Sequence, residues 1–372
     1  MKILYVVSTL QRTGPTNQLY NIISNLPRDD FSPIILTLSP EPKNSALGQF
    51  RNLNVPVYSL GLSRSVSFIL GPSRLKRFIS EHKPELIHTN GIRADMLAAN
   101  YLKAINRVAT VRSYPYHDYL MNYGKLQGTF MAWRHLHTIK RIECPVTCSF
   151  SSAALIKRKC GLELGVIHNG VDDTLFSRAS TEEKKQIRKR FGLPLQPRIF
   201  ACVGDLIKRK RPMTLIRAFL ASKACKNSVL CMIGDGPLRL QSKQVAAGDP
   251  AVIFTGHVKN INEYLKAMDF FVSSSVSEGL PNAIMEALAT GLPVCLSDIG
   301  PHVEILNFNQ KAGIIMPLVD TEKIADALDK LTCNNYQDMS QAAIDIIEKH
   351  LNARNMSLKY QQLYRRLHNE HC

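Results

Sequence analysis

The chain has 372 residues, 45% of them hydrophobic and 21% charged, with a formal net charge of +17. That composition excludes a disordered or fibrous chain, and the length favours two domains over one. Residues 1–170 carry 21 Lys and Arg against 9 Asp and Glu, and residues 171–372 carry 26 against 21. The first half is therefore the basic one, either a solubilising surface or one that adheres to an anionic membrane. Basic and aromatic residues do not interleave as in a nucleic-acid motif, so nucleic acid is not an expected partner.

In chain order, KILYVVS opens as a strand; its apolar run is too short for a signal peptide and lacks a small-residue cleavage site. SPIILTLS, VPVYSL, ELIHTN, RVATVRS, PVTCSF and GVIHNG follow as strands. Segments of helical period such as TNQLYNIISNL, SRLKRFISEH and RADMLAANYLKAI lie between them. Apolar strands separated by helices predict a parallel sheet covered on both faces. The polar run VDDTLFSRASTEEKKQIRKRFGLPLQP predicts a linker with one helix in it. The rhythm then restarts with RIFACVG, SVLCMIG, AVIFTG, DFFVSSS, PVCLSD and AGIIMP.

Two α/β/α domains are predicted, 1–170 and 171–355, with a C-terminal helix at about 356–372 expected to pack back on the first. Sheets of this kind bind ligands beyond the carboxyl ends of their strands, and two of them face to face would frame a cleft. No stretch approaches the roughly 20 apolar residues of a spanning helix. The nine cysteines, from Cys144 and Cys148 to Cys372, show no metal or CxxC spacing. They read as core thiols of a protein in a reducing cytoplasm, with Cys144 and Cys148 as a redox pair the alternative.

The stretch SEGLPNAIMEALATGLPVC sets Glu278 just before a helix and Glu286 inside it. Pro281 is expected at the first helical position and Gly291 as the stop. Amides around Gly279, Leu280 and Asn282 would then face a phosphate or sugar hydroxyls. Glu286 could accept two vicinal ribose hydroxyls and Glu278 a hexose hydroxyl. The alternative is a carboxylate on the helix dipole and an exposed helix residue. His88 ends a strand, either facing the cleft or satisfied in the core. In KLQGTFMAWRHLHTIKR, Phe130, Trp133, Leu136 and Ile139 share helical spacing, as a membrane-surface face or as core packing.

The run EGLPNAIMEALATGLPV resembles the signature of the retaining glycosyltransferases of family 4. VIHNGVDDTLF, ACVGDLIKRKRPMTLIRAF, IGDGPLR, VIFTGHV, SDIGPHVEIL and AGIIMP follow that family's order over most of the chain. The resemblance implies the GT-B fold, two Rossmann-like α/β/α domains facing each other across a cleft. It gives Glu286 the nucleotide ribose and Glu278 a donor-sugar hydroxyl. Lys210 would hold the diphosphate; the family's companion arginine is Asp205 here, and Arg209 would replace it. A solvated basic loop is the bland reading of Lys208–Arg211.

The same resemblance sets the base near Val258 and aligns Gly14 with a glycine-rich turn where backbone approaches diphosphate or acceptor, a structural turn being the alternative. Arg112 and His117 fall where relatives carry a histidine near the donor sugar. The implied reaction is transfer, with retention, of a hexose from a nucleotide diphosphate sugar, a UDP-sugar foremost. It would need no cofactor and, lacking an Asp-x-Asp motif, no metal. The implied acceptor is a saccharide or lipid-linked saccharide of bacterial capsule, exopolysaccharide or lipopolysaccharide, at the inner face of the membrane. The alternatives are a sugar-nucleotide epimerase on the same fold, or a non-enzymatic basic binding protein.

Overall fold

The computed structural model describes residues 1–63 and 66–369, without the side chains of Ser67 and Phe68. Contacts divide the chain into two compact units: Met1–Gly170 with the segment from Ala353 on, and Val171–Asn352.

The first unit is built on a seven-stranded sheet: β1 (Lys2–Val7), β2 (Ser32–Thr37), β3 (Val57–Ser59), β4 (Leu86–Asn90), β5 (Asn106–Val111), β6 (Cys144–Thr147) and β7 (Gly165–Val166). Their order is β3-β2-β1-β4-β5-β6-β7, and every pairing is parallel. Alternate side chains of β1 enter opposite cores. Ile3, Tyr5 and Val7 pack on one face, while Leu4 and Val6 pack on the other with Leu75, Phe78 and Leu97. Burial on both faces is why these strands read as continuous apolar runs.

The helix Ala353–Asn369 closes the first of those cores. Met356, Tyr360, Leu363, Tyr364 and Leu367 bury there, and Ser357 Oγ and Gln361 Nε2 donate to the carbonyls of Ile22 and Asn25 at 2.9 and 3.1 Å. Each such buried side chain contributes roughly 1.5–3 kcal/mol. Of the helix expected at about 356–372, residues 370–372, Cys372 included, lie outside the described residues.

The second unit holds six parallel strands: β8 (Arg198–Val203), β9 (Ser228–Ile233), β10 (Val252–Gly256), β11 (Phe270–Ser273), β12 (Val294–Ser297) and β13 (Gly313–Met316), in the order β10-β9-β8-β11-β12-β13. The linker's predicted helix is Thr181–Arg190, N-capped by Ser180. It docks through Arg188, which donates to Asp269 at 2.5 Å and to the Ala267 carbonyl at 2.8 Å. In both sheets the strand order reverses, between β1 and β4 and between β8 and β11. Ligands of such sheets bind at the carboxyl ends of these reversal points.

Candidate functional site

Both loops leaving the second reversal point carry charge. After β8 the chain turns through Gly204 (φ +137°), makes a 3-10 turn at Lys208–Lys210, and enters the helix Pro212–Ala221 through Arg211. After β11 it runs to Glu278 and the helix Asn282–Ala289. The loops are joined by backbone: the Val276 amide donates to the Arg209 carbonyl at 3.0 Å, and Ser274 Oγ to the Lys210 carbonyl at 2.8 Å. Gly234 fixes their floor, since a Cβ there would lie 2.2 Å from the Gly204 carbonyl oxygen.

The result is a three-member ion cluster. Arg209 Nη1 donates to Glu278 Oε2 at 2.5 Å and to the Ser277 carbonyl at 2.8 Å, and Lys210 Nζ donates to Glu278 Oε1 at 2.6 Å. The Glu278 side chain is 9% exposed. Burial alone would raise its carboxyl; the Lys210 ammonium and Arg209 guanidinium outweigh that and hold it at about 2. Two cations on one carboxylate leave a local surplus of positive charge, suited to an anion.

Glu286 has the opposite environment. Part of its surface meets solvent, yet the protein packed round its carboxyl pushes it up to about 7. Carboxylates driven apart by their surroundings mark sites where each has its own task. A third group went unread in the sequence. His302, wholly buried in the helix Gly300–Leu306, donates from Nδ1 to the Ser297 carbonyl at 2.9 Å, and its Nε2 has no partner among the described residues. Burial holds it at about 4 against the pull of Glu278. Nothing in SDIGPHVEIL distinguishes it from a helix surface residue.

Several expectations change. Pro281 is the N-cap rather than the first helical residue. Gly279 and Leu280 are buried, Asn282 starts the helix, and Val258 follows β10, half-buried. Asp205, where the family's arginine would stand, is exposed.

In the first unit Gly14 begins the helix Gly14–Ser24 and is not among the glycines of positive φ, so no left-handed turn requires it. Arg112 donates to Asn169 Oδ1 at 2.7 Å, while its buried Nε has no partner among the described residues. His117 packs edge-on against Tyr114, and burial lowers it below the usual histidine range.

His88 is a core residue, bonded at 2.7 Å to both Tyr364 and Thr110 and held by burial at about 3. In the helix Lys125–Ile139 the apolar set divides: Leu136 and Ile139 are buried, whereas Phe130 and Trp133 are 57% and 55% exposed. No described helix is long and apolar enough to cross a membrane.

Comparison with known proteins agrees with this layout. Residues 12–175 match the family model described as Glycosyltransferase Family 4, and residues 197–334 that of Glycosyl transferases group 1. A putative teichuronic acid biosynthesis glycosyltransferase, TuaC of Bacillus subtilis, is 30% identical over 55% of this chain and 50% of its own length. The UDP-Gal:alpha-D-GlcNAc-diphosphoundecaprenol alpha-1,3-galactosyltransferase of Escherichia coli is 32% identical over 46% of each chain. These matches span about half the length of either relative. The O-antigen biosynthesis glycosyltransferase WclY of Escherichia coli aligns over 100% of this chain and 99% of its own at 23% identity.

Among solved structures, sucrose-phosphate synthase from Thermosynechococcus elongatus superposes with a TM-score of 0.81 at 17% identity, covering 99% of both chains. Anabaena HepE in complex with UDP gives 0.80 at 16% identity, covering 98% of this chain and 99% of its own. Both share the fold. The chain has the GT-B fold of two parallel-sheet α/β units and belongs to the group 1, family 4 glycosyltransferases.

Proposed function

We propose that this protein transfers a hexose, with retention of anomeric configuration, from a nucleotide diphosphate sugar, a UDP-sugar foremost, to a lipid-linked saccharide during assembly of a bacterial surface polysaccharide. The observation that carries the reading is the Arg209–Glu278–Lys210 cluster at the reversal point of the second sheet. A diphosphate arriving there takes over the two cations now shared by Glu278. The released carboxylate can then accept a hydroxyl of the donor sugar, while Glu286 accepts from the ribose. Cations preset for the departing diphosphate are commonly the largest catalytic contribution, and removal of one such donor costs roughly 10²–10³ in rate. The diphosphate oxygen takes the acceptor's proton as the acceptor attacks on the face the leaving group vacates.

The relatives support this setting. Their names include teichuronic acid and O-antigen biosynthesis, one names a UDP-galactose donor and a diphosphoundecaprenol-linked acceptor, and HepE was crystallised with UDP. A basic first half and the exposed Phe130 and Trp133 suit work beside an anionic membrane. The test is a thermal-shift screen of UDP-, GDP- and ADP-sugars on the purified chain, repeated with Glu286→Ala. Stabilisation by one nucleotide class, lost in the variant, supports the reading. Absence of stabilisation by every donor refutes it.

A further inference from the structure

A layer of buried hydroxyls ties the Glu278 loop to the end of β12. Ser297 Oγ donates to the Ser275 carbonyl at 2.5 Å, and Ser275 Oγ lies 3.3 Å from Ser273 Oγ. His302 joins this layer: its Nδ1 lies 2.9 Å from the Ser297 carbonyl and 3.1 Å from Ser297 Oγ. That hydroxyl has already given its one proton to Ser275, so both neighbours of Nδ1 can only accept. Burial keeps the imidazole neutral at pH 7, and its single proton therefore sits on Nδ1. Nε2 is left as a bare lone pair, wholly enclosed and without a partner among the described residues. Buried acceptors are rarely left in that condition, and this one has room in its chemistry for exactly one more proton.

The charges that bear on His302 come from the two loops of the ion cluster. Burial opposes a proton on the ring; Glu278, from the loop after β11, favours one more strongly than any other charge, and Lys210, from the turn after β8, works against it. Its own segment adds Asp298, which is exposed, and Glu304, which is half-buried. Of the elements packed on its helix, β13 carries no charged residue and the turn Gln310–Ala312 carries Lys311, which is exposed. The proton balance of His302 is thus set by the same residues that an arriving diphosphate would rearrange. While Arg209 and Lys210 hold Glu278, its charge is met and His302 stays neutral. A buried carboxylate stripped of both partners would be strongly destabilising unless a new positive charge replaced them.

We propose that His302 is a positioning residue for Glu278: as a diphosphate draws Arg209 and Lys210 onto itself, Nε2 takes up one proton from solvent, and the imidazolium supplies the positive charge that the carboxylate has lost. Two changes drive the step in the same direction. Withdrawal of the Lys210 charge removes what opposed the proton, and the diphosphate brings negative charge toward it. Glu278 then stays ionised and in place to accept a hydroxyl of the donor sugar. One proton moves, and no bond of the ligand is made or broken. The assignment rests on the donor reading above, because it needs a diphosphate at the cluster.

The test is calorimetric titration of the full chain with UDP at pH 6 and 8.5, each in two buffers of different ionisation heat, which counts the protons taken up per nucleotide. Wild type should take up about half a proton more than His302→Asn at pH 6, and the difference should vanish by pH 8.5. Asparagine keeps an amide to donate to the Ser297 carbonyl but cannot titrate; His302→Gln repeats the comparison with a longer side chain should the first variant fold poorly. Protons exchanged by UDP itself and by Glu286 are common to these chains and cancel in the difference. In a Glu278→Gln background, where the amide needs no compensation, changing His302 to Asn should leave the proton count unaltered. The UDP affinity of wild type relative to His302→Asn should rise about three- to tenfold from pH 8.5 to pH 6, which a purely structural role would not produce. UDP bound with equal proton uptake by wild type and both His302 variants overturns this proposal alone; no binding of UDP to wild type overturns the donor reading and this proposal with it.

Discussion

Replacing Glu286 by Gln should stabilise the free protein while impairing its grip on the donor. The carboxyl is raised from 4.5 to about 7 by burial. At about 1.36 kcal/mol per tenfold change in proton affinity, the ionised form costs on the order of 3 kcal/mol. Partial exposure screens some of that, leaving about 1–2 kcal/mol. The sign follows from proton linkage. A carboxyl raised in the folded state favours folding fully below 4.5, and that contribution is lost as pH climbs through about 7. Glutamine mimics the neutral form, so the gain should be present at pH 8.5 and nearly gone at pH 4. For a unit of this size it corresponds to a midpoint about 2–8 °C higher. Calorimetric melts at both pH values, with and without UDP, read both effects. In wild type, UDP affinity should fall about tenfold per pH unit below about 7, as the ribose acceptor becomes protonated; in Glu286→Gln that dependence should vanish along with most of the affinity. A variant no more stable at pH 8.5, or one whose UDP affinity matches wild type, would refute the reasoning.

Lys210→Ala should lower kcat by roughly 10²–10³ in a donor-turnover assay with melting little changed, since Arg209 still pairs with Glu278. Glu278→Gln should destabilise the second unit by about 1–3 kcal/mol at pH 7, through two cations left unneutralised. That difference should disappear in urea titrations as pH falls from 4.5 toward about 2, where the wild-type carboxyl itself protonates. His88→Phe deprives the Tyr364 and Thr110 hydroxyls of their shared partner and should cost about 1–3 kcal/mol at pH 7.5. The cost should shrink below 6.5, where wild type must keep His88 neutral against its unfolded preference; Trp133, the single tryptophan, reports that unfolding. Gly234→Ala combines φ +141° with a Cβ 2.2 Å from the Gly204 carbonyl oxygen, and should cost more than about 3 kcal/mol and displace Lys210. Calorimetry together with donor turnover reads both.

The strands were legible because both faces of each sheet are covered, which writes apolar runs such as FFVSSS and SVLCMIG directly into the sequence. The pairing of Arg209 and Lys210 with Glu278 was not: sequence neighbours on two loops meet only because β8 and β11 lie side by side. Motif spacing therefore singled out these three residues but assigned their charges separately. His302 escaped notice because burial, not residue type, sets it apart. The division of the helix Lys125–Ile139 was half visible. Its period was plain, but which turns meet the core depends on the neighbouring helix, whose contact is made by the unremarkable Gly128. A buried hydrogen-bond chain from Asp95 through His135 to Tyr119 joins residues up to 40 apart and has no linear signature.

The returning helix Ala353–Asn369 bears on how the chain is made. Tyr5 and Phe31 reach their final surroundings only once that helix arrives, after roughly 180 residues of the intervening unit have been translated. At roughly 5–20 residues per second, the part of that core which this helix completes stays open for about 10–40 s on the ribosome, although Leu19, Ile22 and Ile23 already pack beside it. During that interval Tyr5 and Phe31 lack the Tyr364 contact of the finished protein, and the nascent chain carries an incompletely covered apolar surface.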